Sequence, residues 1–277
     1  MSLLNTIATN ANSTPDGIRA VIAGLEKIGK TTLSCGAPKA LLVPLERGDG
    51  AINIAKTDMP TSYEQVMQLL DEIIGYAQKG QFPYKSLVFD SATALERLID
   101  NYVLRTDPTY AVGNKKALTM ESALGGYGKA YTFANECFTN FLAKCDILSK
   151  YGKINIIFTC HVFASKMIDP ANGEYDSWDL LLHSPKNQKT YGKREIITQW
   201  ADLVGFLHEP MFIIEGDNVN RGISSNKGRV IGLSRTPAYV AGNRYGMNGE
   251  IPIPKENGWN HLAQAIHNSS KLDFYAR

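Results

Sequence analysis

A chain of 277 residues is long enough for one large α/β domain or two small ones. Its 44% hydrophobic and 20% charged content describes an ordinary globular chain with a real core, and a net charge of +2 does not by itself mark a nucleic-acid binder. The N-terminus lacks a basic and apolar signal, and no apolar run reaches bilayer length, so a cytoplasmic location without membrane contact is expected.

Residues 1–16 are small and polar, end in the turn Pro15-Asp16-Gly17, and read as a flexible N-terminal arm. Ile18 to Ala23 is apolar and rich in β-branched residues, so a strand is expected there. It feeds Gly24-Leu25-Glu26-Lys27-Ile28-Gly29-Lys30-Thr31, and a helix starts at Thr31-Thr32, cut short by Gly36 and Pro38. Leu41 to Leu45 reads as a second strand. Ser62 and Gln65 form a capping box before a helix with Val66, Leu69, Leu70, Ile73 and Ile74 on one face, closed by Gly80.

Ser86 to Asp90 is an apolar strand ending in a carboxylate, and Ala92 to about Arg105 is helical. A long connection, 106–128, follows. A helix over 129–151 carries Phe133, Cys137, Phe138, Phe141, Leu142, Cys145 and Leu148 as a core stripe, and 154–161 is another buried strand. The alternation of strands and helices predicts a mainly parallel sheet covered on both faces. Beyond it, 162–167 and 175–182 flank a turn at 169–173, and Trp200 to Leu207 returns to the core. Met211 to Glu215 and Arg229 to Leu233 are expected to form a second hairpin across a flexible loop, 216–228. A short helix near Trp259 to His267 ends the chain.

The loop matches G-x-x-x-x-G-K-[ST], which cradles a nucleotide's phosphates and implies ATP with Mg²⁺. Its glycines let backbone N–H groups converge on phosphate, and the start of the following helix also faces the anion. Gly24, Leu25, Glu26, Lys27, Ile28, Gly29, Lys30, Thr31 and Thr32 are the candidate nucleotide contacts. Lys30 reaches the β- and γ-phosphates and Thr31 takes a place on Mg²⁺. Lys27 either touches the nucleotide or is merely solvated.

Three strand-end residues are candidates for the chemistry. Asp90 is placed to hold Mg²⁺ beside Thr31, or else caps the next helix. Glu46 is placed to orient or deprotonate the attacking water, with Asp49 as the fallback base, or else pairs with Arg47 on the surface. His161 is placed to bond the γ-phosphate and pass its presence to the next segment, or else is structural. Cys35, Cys137, Cys145 and Cys160 lack zinc-ligand spacing and read as reduced thiols.

Residues 183–247 hold nine Lys and Arg (186, 189, 193, 194, 221, 227, 229, 235 and 244) against five acids, a local excess by which the modest overall charge can hide a basic face. Tyr175, Trp178, Tyr191, Tyr239 and Tyr245 are interleaved with them. They either stack nucleic-acid bases or sit half-buried in a solvated rim.

The loop, Leu45-Glu46-Arg47-Gly48, Leu87-Val88-Phe89-Asp90-Ser91, Phe158-Thr159-Cys160-His161, Trp200-Ala201-Asp202 and Asn243-Arg244-Tyr245-Gly246 occur in this order. The chain therefore resembles the RecA-like P-loop ATPases, and within them the phage nucleotide-binding, single-strand-annealing recombination proteins with a minimal RecA core. The resemblance covers about residues 17–250. It implies an α/β, RecA-like P-loop NTPase core with a mainly parallel twisted sheet flanked by helices. Antiparallel hairpin insertions are placed at 163–195 and 211–234, and a C-terminal tail with a helix at 251–277.

By that resemblance Glu46 is the catalytic glutamate, Asp90 the Walker B residue, and His161 fills the place where recombinases usually carry glutamine. Residues 106–128 and 163–195 fall where recombinases place DNA-binding loops. The resemblance also implies Mg²⁺-dependent ATP hydrolysis, single-stranded DNA as partner, and self-association into a ring or filament. A phage or host single-strand-binding protein is a further partner. Arg244 is the candidate to act on a neighbouring subunit's γ-phosphate, with Arg235 and Arg229 as rivals and a structural role as the alternative. The competing functional reading is a nucleotide-gated switch acting on a protein partner without DNA. The chain shows no lid of clustered arginines that would favour a small-molecule kinase.

Overall fold

The structure, a computed structural model, describes residues 16–275 apart from 49, 51, 111–117, 186–190, 215–220 and 226–227. The elements of the first half are β1 (Arg19–Ala23), α1 (Lys30–Cys35), β2 (Ala40–Pro44), α2 (Tyr63–Gln78), β3 (Ser86–Asp90) and α3 (Ala92–Thr106). They are followed by α4 (Lys129–Lys150), β4 (Asn155–Cys160), β5 (Val162–Asp169), β6 (Gly173–Leu180), α5 (Lys193–Trp200) and β7 (Leu203–His208). The chain continues through β8 (Met211–Ile214), β9 (Arg221–Ser224), β10 (Val230–Gly232), β11 (Gly242–Asn243), β12 (Glu250–Pro252) and α6 (Gly258–Ser270).

The main sheet runs β12-β10-β7-β1-β4-β3-β2, with β11 also on β7. Strands β2, β3, β4, β1 and β7 run parallel to one another, whereas β10 and β11 pair antiparallel with β7 and β12 antiparallel with β10. Successive residues of a strand face opposite sides, so strands covered on both faces read as apolar runs. Val21, Phe89 and Phe158 point to one core, where they meet Val66 of α2, Leu95 of α3 and Phe138 and Phe141 of α4. Their neighbours Ile22, Val88 and Ile157 point to the other, against Leu33 of α1 and Trp259, Leu262 and Ile266 of α6. The stripe expected on α4 lies in the first core, with Phe133 at its margin.

Three expectations change. Met211–Ile214 pairs with Arg221–Ser224, not with the segment after 228. Val230 and Ile231 are buried in the main sheet, with β10 antiparallel to β7. An apolar strand gains more between β7 and β12 than on an outlying hairpin. Second, the segment after 250 is no mere tail. Strand β12 extends the sheet, and Trp259 is buried, its indole N–H donating to the Phe274 carbonyl (2.8 Å). Without α6 one face of the sheet would lose much of its cover.

Third, two cations of the 183–247 region, Lys193 and Arg194, open helix α5, and the first of them is internal. Lys193 is fully buried between Asp100 (3.0 Å) and Glu96 (3.3 Å) of α3. Glu195 closes the turn by accepting the Gly192 N–H (2.8 Å). A cation this deep persists because two carboxylates compensate it.

Strands β5 and β6 form the expected hairpin, in register from Val162 opposite Leu180 to Asp169 opposite Gly173. Of the expected arm, Asp16 is described, its carboxylate paired with Lys153 (2.6 Å). The rest of it, and also Asp49, Lys186, Lys189 and Lys227, lie outside the described residues. Among the described residues no helix is long and apolar enough to cross a membrane.

Candidate active site

Parallel strands present their carboxyl ends along one edge of a sheet, where ligands of open α/β folds sit. Here β1 runs into the glycine loop, β2 leads to Glu46, β3 ends in Asp90, and His161 follows β4. Because β4 lies between β1 and β3, its tip stands between the loop and the two carboxylates.

The loop is shaped for an anion. Gly29 has φ 96°, a left-handed value that favours glycine. A Cβ on Gly24 would overlap the Leu207 carbonyl, so the loop can pass that close to β7 only with glycine there. Among the described residues, no backbone N–H from Leu25 to Thr32 has a backbone acceptor. Helix α1 is only six residues long, so this row of free donors, more than a helix dipole, makes the concavity attractive to phosphate. Lys27 stands exposed on the loop.

Lys30 is buried, and its Nζ donates to the Gly24 (2.9 Å) and Leu25 (2.8 Å) carbonyls. Burial lowers its pKa from the usual lysine value. An ammonium held by loop carbonyls, not by a carboxylate, can exchange them for phosphate oxygens.

Asp90 Oδ2 accepts from Thr31 Oγ1 at 2.9 Å, and its other oxygen accepts from Thr159 Oγ1. It does not cap α3. Ser91 does, accepting the Ala94 N–H at 3.2 Å. The Thr31 hydroxyl and the Asp90 carboxylate are thus adjacent oxygen donors, the hard ligands that suit Mg²⁺.

Glu46 faces inward and not toward Arg47. Its Oε1 accepts from Ser91 Oγ (2.6 Å) and lies 2.8 Å from His161 Nε2, while Oε2 is 3.7 Å from Arg97. The His161 bond, aided by Ser91 and the Arg97 charge, outweighs partial burial and brings the Glu46 carboxyl down to about 2. An ionised carboxylate only accepts, so His161 Nε2 carries the shared proton. His161 Nδ1 is buried without a hydrogen-bond partner and faces Glu26 of the loop at 3.6 Å. The backbone N–H of His161 donates to Thr93 Oγ1 (3.3 Å), and its carbonyl accepts from Leu181 (2.8 Å).

A family model described as an AAA domain matches residues 16–245. The chain belongs to the AAA-domain family. No curated protein matches the chain. The AAA domain is of the P-loop ATPase type, so nucleotide binding and ATPase activity are its general function. Mg²⁺ and a triphosphate fit the residues present: free loop amides, a lysine bound to exchangeable carbonyls, and the Thr31–Asp90 oxygen pair.

Sequence reasoning passed over Ser91, Thr159 and Arg97 as site residues. The first two carried a signal. A serine before an apolar helix is a cap candidate, and a threonine inside an apolar strand must find a partner. Arg97 carried none.

Arg244 is not brought to this site. It lies beside the start of β7, at the far end of the sheet from the loop, and donates to Asp202 (2.8 Å) and to the Gln199 carbonyl (2.6 Å). Arg194 is paired with Asp179 at 2.7 Å. Arg235 is exposed. Arg229 is buried against the loop itself, its Nη1 donating to the Ile28 carbonyl at 2.9 Å.

Proposed function

We propose that this AAA domain binds and hydrolyses Mg·ATP and couples the cycle to single-stranded DNA, promoting annealing or recombination as a RecA-like, phage-encoded oligomer. Lys30 exchanges its two loop carbonyls for β- and γ-phosphate oxygens. Thr31 and Asp90, already bonded to each other, would hold Mg²⁺, and the bound ion would supply charge neutralisation at the phosphates. Glu46 accepts a hydrogen bond from the attacking water and aligns it. With its carboxyl near 2, Glu46 acts by alignment and charge more than by early proton removal. His161, bonded to Glu46 through Nε2, is the residue that responds to the γ-phosphate.

The observation behind the coupling is one of continuity. His161 bonds Glu46 and is followed at once by Val162, the first residue of the β5–β6 hairpin. A change of partner at His161 therefore pulls on an eight-residue strand. Self-association into a ring or filament would bring a neighbour's cations to the site. Arg244, still partly exposed, is the candidate and Arg235 its rival.

The test is binding of a labelled single-stranded oligonucleotide at low salt, with ATP, with ADP and without nucleotide, beside a phosphate-release assay. ATP-strengthened, salt-sensitive binding is expected. Negligible affinity in every condition removes the DNA assignment, and absent turnover removes the ATPase one.

One observation favours the second reading, a nucleotide-gated switch acting on a protein. Lys193, Arg194, Arg229 and Arg244, four of the nine cations of 183–247, are engaged within the fold. Turnover without oligonucleotide binding selects that reading.

A further inference from the structure

The Ile28–Gly29 peptide is held from outside the loop. In a planar trans peptide the C=O and N–H point in opposite directions. Arg229 Nη1 donates to the Ile28 carbonyl at 2.9 Å, which turns the Gly29 N–H away from Arg229. That N–H has no backbone acceptor among the described residues. A hydrogen bond to the carbonyl also polarises the N–H at the other end of the same peptide. A Cβ on Gly29 would overlap Arg229 Nη1, so glycine at this position serves the guanidinium as well as the left-handed backbone.

Arg229 is itself fixed. Its Nη2 donates to the Pro254 carbonyl (3.0 Å), and its own carbonyl accepts the Ile253 N–H (2.8 Å). Its Nε is buried without a partner. Among the described residues no carboxylate stands within ion-pair distance of it. A buried guanidinium without a counter-charge is costly, and the cost is relieved when an anion arrives nearby.

We propose that Arg229 is a positioning residue for polyphosphate. It aims the Gly29 N–H at the phosphate and sets behind the loop a buried positive charge that the nucleotide neutralises. Pro254 lies beyond residue 245, where the family match ends, so the segment leading to α6 becomes part of the phosphate site. This inference rests on the nucleotide-binding reading and extends it to residues outside the loop motif.

The experiment is a calorimetric titration of the full chain with ADP and with inorganic tripolyphosphate in magnesium buffer. Wild type is expected to bind both. If it binds neither, the nucleotide reading fails and this inference with it. Arg229→Gln should weaken both ligands by the same factor, about tenfold to a hundredfold, since the loss falls on phosphate and not on adenine. Arg229→Lys, which keeps the charge but not the two-pronged geometry, should recover part of it. Affinities within twofold of wild type in a folded Gln variant overturn the inference and leave the nucleotide reading intact. Should neither variant fold, the Gly29 amide resonance of the wild-type protein decides. It should shift on adding tripolyphosphate, and an unresponsive Gly29 amide in protein that binds the ligand overturns the proposal.

Discussion

His161 Nε2 lies 2.8 Å from Glu46 Oε1, so two residues 115 positions apart in the chain form one hydrogen-bonded unit. Strands β4 and β2 flank β3, and Ser91, just past the tip of β3, donates to the same Glu46 oxygen. The carboxylate is therefore held by its neighbours before any substrate arrives. Such fixed placement is what positions a water for in-line attack.

Glu46→Gln keeps the volume and an acceptor for Ser91 but removes the charge. Phosphate release is expected to fall about 10²- to 10⁴-fold while ATP affinity, measured by titration, is retained. Turnover close to wild type would pass the role to Asp49 or another carboxylate.

The same carboxylate makes stability depend on acid. Its pKa is depressed from 4.5 to about 2 in the folded chain, so its contribution is fully present above about pH 4.5. It is lost as the pH falls from there toward 2. Melting temperatures measured between pH 7 and pH 3 should drop less in Glu46→Gln than in wild type. Equal drops would mean that the His161 and Ser91 bonds do not act on stability through the Glu46 charge.

Lys30→Ala removes the ammonium that spans the Gly24 and Leu25 carbonyls. ATP affinity should fall at least about tenfold, because hydrogen bonds to charged groups are among the stronger ones. The fold should survive, since both carbonyls belong to the loop and water can fill the space that the side chain leaves. Calorimetry with ATP and the circular dichroism spectrum check the two halves together.

Lys193→Met should be among the most damaging changes away from the site. It leaves Glu96 and Asp100 of α3 facing a buried apolar group, and burial already raises the Glu96 pKa. Breaking a buried pair from one side costs about 3–5 kcal/mol. Denaturant unfolding measures it, and a loss below about 1 kcal/mol would place the pair with ordinary surface ion pairs.

The amino-acid sequence alone determined the elements with strong local signals. The loop from Gly24 to Thr31 is contiguous, and its glycines and lysine act through their own backbone. The strands leading to Glu46, Asp90 and His161 are apolar runs with one polar residue at the tip, and α4 shows its buried stripe at helical spacing. Only the tertiary structure decided which tips touch. That Glu46 meets Ser91 and His161 instead of Arg47 depends on strand order, which no local pattern encodes. The partner of Val230–Gly232, the burial of Lys193 and the contact between Arg229 and Ile28 are likewise long-range choices. An exposed and a buried cation look alike in sequence, because burial is a property of what packs against the residue.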